Sequence, residues 1–115
     1  MNDVFGKVLI TSKPVENRKE IIAELQNKLK SRVKQAWIFG SLASGVFSKN
    51  SDIDIFLVME TTEPFLSRAL QFSDLTDLGY EIDILVYTPE EFQKLTTDPA
   101  AGFWKTASSE MVQIL

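Results

Sequence analysis

The chain has 115 residues and a formal net charge of −4, with 44% apolar and 24% charged residues. That length supports one modest core, so a single domain over residues 1–115, and the negative balance argues against direct nucleic-acid binding through a basic surface. It contains no cysteine and no histidine, which excludes disulfides, thiolate and imidazole metal sites and every Ser-His arrangement, and leaves oxygen as the only metal donor.

No stretch reaches the ~20 apolar residues of a membrane helix. The N-terminus lacks the basic start and apolar core of a signal peptide. The expectation is a cytoplasmic protein with no membrane association. Residues 1–17 are ambiguous: Phe5, Val8, Leu9 and Ile10 suit a short strand or helix and Pro14 interrupts them, so this stretch reads as a poorly defined N-terminal extension. Residues 18–34 form an amphipathic helix, because Ile21, Leu25, Leu29 and Val33 recur every four residues while Lys and Glu fill the other face. Asn17 is placed to cap it, with Glu20 at the capping-box position.

Ala36 to Phe39 reads as a short buried strand ending at Gly40-Ser41. A short helix and loop follow, and then a strand from Ile53 to Met59. Asp52, Asp54, Phe56 and Val58 share one face of that strand and the four residues alternating with them share the other, so it is covered on both sides. Pro64 suits the first turn of a helix that Gly79 stops. Tyr80 to Tyr87 is a third strand, and Pro89-Glu90-Glu91 starts another short helix capped by Thr88. Asp98-Pro99 is a break. Gly102 to Leu115 is expected to be a last helix, with Phe103, Ala107, Met111 and Leu115 on one face. The order predicts an α/β (α+β) fold, a small mixed sheet with helices packed mainly on one face.

The informative stretch is Gly40 to Asp54. A Gly-Ser pair follows one strand, Asp52 and Asp54 open the next, and Asp83 sits inside the third between Ile82 and Ile84. The two-residue period places Asp52 and Asp54 on one side, roughly 6 to 7 Å apart at the backbone. Such carboxylates hold one divalent ion, or two about 3.5 to 4 Å apart. A carboxylate in an apolar run is costly to bury unless paired or bound to a cation, and no Lys or Arg lies within two residues of any of the three. Gly-Ser alone is a common turn and Asp-x-Asp alone a common strand end, whereas the combination suits phosphoryl or nucleotidyl transfer: a loop for a triphosphate and a cradle for metal.

Phe39-Gly40-Ser41, then Gly45, then Ser51-Asp52-Ile53-Asp54-Ile55 resembles the signature of the DNA polymerase beta-like nucleotidyltransferase superfamily. The short length is similar to its minimal, stand-alone antitoxin-like branch, and the Asp83 strand followed by Thr88-Pro89-Glu90-Glu91-Phe92 is similar to that branch's third-carboxylate strand and helix. The resemblance covers roughly residues 18–115. It implies that Gly40 and Ser41 bind the nucleotide phosphates, that Asp52, Asp54 and Asp83 are the catalytic, metal-binding residues for two Mg²⁺ ions (or Mn²⁺), and that a hydroxyl attacks the α-phosphate of ATP with release of pyrophosphate. The branch usually has Ala-Arg-Gly where this chain has Ala43-Ser44-Gly45; Lys49 is the candidate nucleotide contact in place of that arginine.

The resemblance further implies an antitoxin that transfers AMP to a helical HEPN-type toxin and associates with it. Two alternatives stand beside this: a weakly catalytic or non-catalytic docking subunit that neutralises a helical partner, and a small-molecule nucleotidyltransferase of the aminoglycoside type, which would need a homodimer or partner to build its acceptor pocket. Phe103, Trp104, Met111 and Val112 are candidates for a partner surface or for core cover.

Overall fold

Residues 17–48, 50–97 and 102–115 are described in a computed structural model. The expectations for residues 1–16, for Lys49 and for the Asp98-Pro99 break lie outside them. Helix α1 (Arg18–Leu29) starts at Asn17, whose Oδ1 accepts from the backbone N–H groups of Lys19 and Glu20 at 2.8 and 3.3 Å. Its buried residues are Ile21, Leu25 and Leu29, the stripe seen in the sequence. Strand β1 (Gln35–Phe39) leads directly into the short helix α2 (Gly40–Ser44), and β2 (Ile53–Val58) follows. Next come helix α3 (Phe65–Arg68), a 3-10 segment (Ala69–Leu78) and β3 (Ile82–Tyr87). Helices α4 (Pro89–Thr97) and α5 (Phe103–Glu110) and the two-residue strand β4 (Val112–Gln113) complete the chain.

The sheet order is β3-β2-β1-β4, with β1 antiparallel to both β2 and β4 and β2 parallel to β3. This is the mixed sheet that was expected. Alternate residues divide the core in two. Ala36, Ile38, Ile53, Ile55, Leu57 and Val86 meet α1, α2 and the 3-10 segment in the larger cluster. Phe56, Val58 and Tyr87 meet Phe92 and Ala107 of α4 and α5 in a smaller, aromatic cluster on the other face. There Phe39 stacks on Phe56 with ring centroids 4.1 Å apart, and Trp104 stacks on Phe56 at 4.8 Å.

Two expectations are corrected. The last helix ends at Glu110, because Met111 takes an extended conformation (φ −72°, ψ 151°) and the chain turns back onto the sheet. The outer edge of β1 needs backbone partners, and Ile114 N–H donates to Ala36 O at 2.8 Å while Leu115 O accepts from Ala36 N–H at 3.2 Å. Leu115 thus reaches the larger core from a strand extension and not from a helix face. The helix expected after Pro64 is mostly 3-10, with a non-helical Phe72 (φ −111°, ψ 17°) that directs its ring inward.

Arg68 fastens three elements. It is 7% exposed, and its guanidinium donates to Glu63 O (2.9 Å), Val86 O (3.0 Å) and both carboxylate oxygens of Glu91 (2.7 and 3.3 Å). Glu91 also accepts from Thr88 N–H, and Thr88 Oγ1 accepts from Glu91 N–H, a reciprocal cap on α4. The bonds from Arg68 hold the Glu91 carboxyl below its ordinary range. Arg68→Ala is therefore expected to destabilise the fold by about 2 to 4 kcal/mol, since it leaves buried acceptors unpaired. Urea denaturation near neutral pH checks this. Because Glu91 has a lowered pKa in the folded state, its part is present above the ordinary carboxylate range and fades as pH falls through it, so the gap between wild type and variant should narrow in acid.

Candidate active site

The register brings the separated motif residues into one row. Phe39, the last residue of β1, pairs with Asp54 on β2, and Asp54 pairs with Asp83 on β3. Residues directly opposite share a face, so Phe39, Asp54 and Asp83 lie side by side where β1 ends and β2 and β3 begin. They sit on the face of the aromatic cluster, since Phe56 and Tyr87 follow at even spacing. Asp52 is exposed, two residues before Asp54, and Asp83 is also exposed at the sheet's end.

Crowding appears in the chemistry of Asp54. Its carboxyl pKa is pushed from 3.8 up to about 6. Burial is the largest cause; the charge of Asp83, a hydrogen bond between the two carboxyl groups and the charge of Asp52 add to it. No described lysine or arginine forms an ion pair with these aspartates.

Gly40 closes the site from the β1 side. Its φ of +67° lies in the left-handed region, and a Cβ placed there would come 2.5 Å from Oδ2 of Asp54. Only a residue without Cβ lets the chain turn into α2 so close to that carboxylate. Ser41 follows, half-buried in α2, and its carbonyl accepts from Gly45 N–H at 3.1 Å and from the Ser44 hydroxyl at 3.2 Å. The structure thus brings together Gly40, Ser41, Asp54 and Asp83, with Asp52 at the exposed margin.

One residue beside the site escaped the sequence reading. Arg18, the first residue of α1, donates through Nε to Leu42 O at 2.6 Å and through Nη2 to Ala43 O at 3.4 Å. It holds the end of α2 and so positions the Gly40-Ser41 turn. Nothing local signals a contact across 24 residues.

Among the described residues no three His, Cys, Asp or Glu side chains are grouped closely enough to form a ready-made metal cage. The donor chemistry nevertheless fits a hard divalent cation: two apposed carboxylates, a third adding charge, and one pKa raised by burial and by like-charge repulsion, both of which a cation would offset. This gives a stability prediction. Asp54 has a folded pKa above its ordinary value, so its contribution is full below about 3.8 and is lost as pH rises through about 6. Without divalent cation, the thermal midpoint of wild type relative to Asp54→Asn should fall across that window. Added Mg²⁺ should close the gap, and a gap that ignores both pH and Mg²⁺ would contradict it.

The chain belongs to the nucleotidyltransferase domain family, a class of transferase enzymes, whose model matches residues 18–108. Relatives include the terminal uridylyltransferase cid1 of Schizosaccharomyces pombe, 32% identical over 104 residues that cover 88% of this chain and 26% of that protein. This chain therefore spans about a quarter of the uridylyltransferase. Another is the Methanocaldococcus jannaschii protein named "Putative protein adenylyltransferase MJ0604", 33% identical over 76 residues, 66% of this chain and 75% of that one. Among solved structures, a toxin–antitoxin with AMP-PNP superposes with a TM-score of 0.51 at 20% identity, covering 84% of this chain and 72% of that one. A toxin–antitoxin MntA-HpeT mutant gives 0.50 at 19% identity, covering 86% and 73%. These two share the fold. Among the described residues no helix is long and apolar enough to cross a membrane.

Proposed function

We propose that the protein is a Mg²⁺-dependent adenylyltransferase of the cytoplasm that moves AMP from ATP to a hydroxyl on a partner protein. The apposition of Asp54 and Asp83 beside Gly40 carries this reading. Gly40 and Ser41 would seat the β and γ phosphates through backbone N–H groups and the Ser41 hydroxyl. Asp52, Asp54 and Asp83 would hold the divalent cations, which when bound neutralise phosphate charge and align the triphosphate. The acceptor oxygen attacks the α-phosphorus, the bond from that phosphorus to the oxygen bridging to the β-phosphate breaks, and pyrophosphate leaves. Asp83 would take the hydroxyl proton as the acceptor oxygen attacks.

A protein acceptor is favoured by the relative named as a protein adenylyltransferase and by the toxin–antitoxin neighbours. The family resemblance points to a HEPN-type helical toxin. A second reading, a docking subunit with little catalysis, rests on Ser44 standing where the branch has arginine. To decide, the protein is incubated with lysate of its source cells, Mg²⁺ and ATP labelled at the α-phosphate, and in parallel at the γ-phosphate. A protein band labelled only from the α position, and absent with Asp52→Asn/Asp54→Asn, is the expected result. If no label transfers to any protein while the double variant still neutralises a toxin, the docking reading stands instead.

A further inference from the structure

We infer that Phe103 is the platform on which the base of the nucleotide stacks, an inference that rests on the nucleotide reading of the carboxylate row. Phe103 opens α5 and is 54% exposed. Its ring meets Phe39 edge-to-face at 5.7 Å and 83°, and Phe56 at 6.2 Å and 86°. Those two rings flank Asp54: Phe39 stands opposite it on β1, and Phe56 follows two residues on along β2. Phe103 therefore overlies the sheet beside the carboxylate row, and α5 also contacts α2, the helix that Gly40 begins.

Three rings of this cluster serve as core. Phe56 is fully buried, Phe92 is 6% exposed and Tyr87 is 9% exposed. Phe103 differs in keeping half its surface in solvent while it stands nearly perpendicular to Phe39, Phe56 and Trp104, the last at 5.9 Å and 89°. That exposed half leaves ring surface open to an aromatic partner. Among the described residues, the phosphate and cation end of the site offers carboxylates, a glycine and a hydroxyl, which give the flat, apolar faces of a base nothing to pack on. A phenyl face supplies that contact, and it accepts any base because every base has a π-face.

Calorimetric titration in Mg²⁺ tests this with two ligands, an ATP analogue carrying a methylene between the α and β phosphorus atoms and inorganic tripolyphosphate. Three proteins are compared: wild type, Phe103→Leu, which keeps apolar cover over Phe39 and Phe56, and Phe103→Tyr, which keeps the ring. Phe103→Leu is expected to bind the analogue about 5- to 100-fold more weakly than wild type, with Phe103→Tyr unchanged and tripolyphosphate bound equally by all three. Equal analogue binding by Phe103→Leu, or an equal loss for both ligands, would overturn the stacking role. Wild type that binds neither ligand would overturn the nucleotide reading itself, and this inference with it.

Discussion

Asp54→Asn is expected to cost about a thousandfold or more in nucleotidyl transfer while making the protein more stable in the absence of divalent cation. Both effects come from one carboxylate. Asp54 is the centre of the row, paired with Asp83 across the parallel ladder and next to Gly40. Burial and two neighbouring carboxylates push its pKa to about 6, so without a divalent cation the ionised form is destabilising. An amide of nearly the same shape removes that repulsion and can bond to the Asp83 carboxylate. It also removes a ligand charge whose catalytic use is worth several kcal/mol, and each 1.36 kcal/mol is tenfold in rate. Rate measured with saturating Mg²⁺, set beside the thermal midpoint in EDTA, checks both signs at once. A variant that is slower but no more stable would mean that the carboxylates do not repel one another, and one that is more stable and fully active would remove Asp54 from the chemistry.

Gly40→Ala carries the second large effect. At φ +67° a side chain costs about 1 to 2 kcal/mol of backbone strain. The new Cβ would also meet Asp54 Oδ2 at 2.5 Å and Cγ at 3.4 Å, so the carboxylate must rotate or β1 must move away from β2. Displacement of a catalytic group by about 1 Å costs on the order of a hundredfold. Gly45→Ala separates the two causes. Gly45 has φ +87° but nothing within 4 Å of its Cβ position, so it should lose comparable stability with far less activity. Equal losses of activity in the two variants would show that backbone strain alone matters and that the Gly40–Asp54 approach does not.

The local grammar of the chain was legible in its sequence. The Asn17 cap, the stripe of Ile21, Leu25 and Leu29, the Thr88 cap and the three main strands follow from spacing and side-chain chemistry within a few residues. The two-residue period also places Asp52 and Asp54 on one side. Pairing was not legible, because the alignment of Phe39 with Asp54 and of Asp54 with Asp83 depends on how strands far apart in sequence slide against one another. The same reason hid Arg18 and Arg68, whose partners lie 24 and 23 residues away. The end of the chain misled for a different cause. Phe103, Ala107 and Met111 fit a helical face, but the open edge of β1 draws Val112 and Gln113 into the sheet. Helical propensity over the last few residues was outweighed by backbone hydrogen bonds that the sheet had to find.

The most direct measurement is a crystal structure of the protein with Mn²⁺ and the methylene ATP analogue, with anomalous scattering used to place the metal. The expected result is manganese on Asp54 and Asp83, with the terminal phosphates against the Gly40-Ser41 turn. Manganese and phosphates bound away from this row, or a row that stays free of metal while the analogue binds elsewhere, would contradict it.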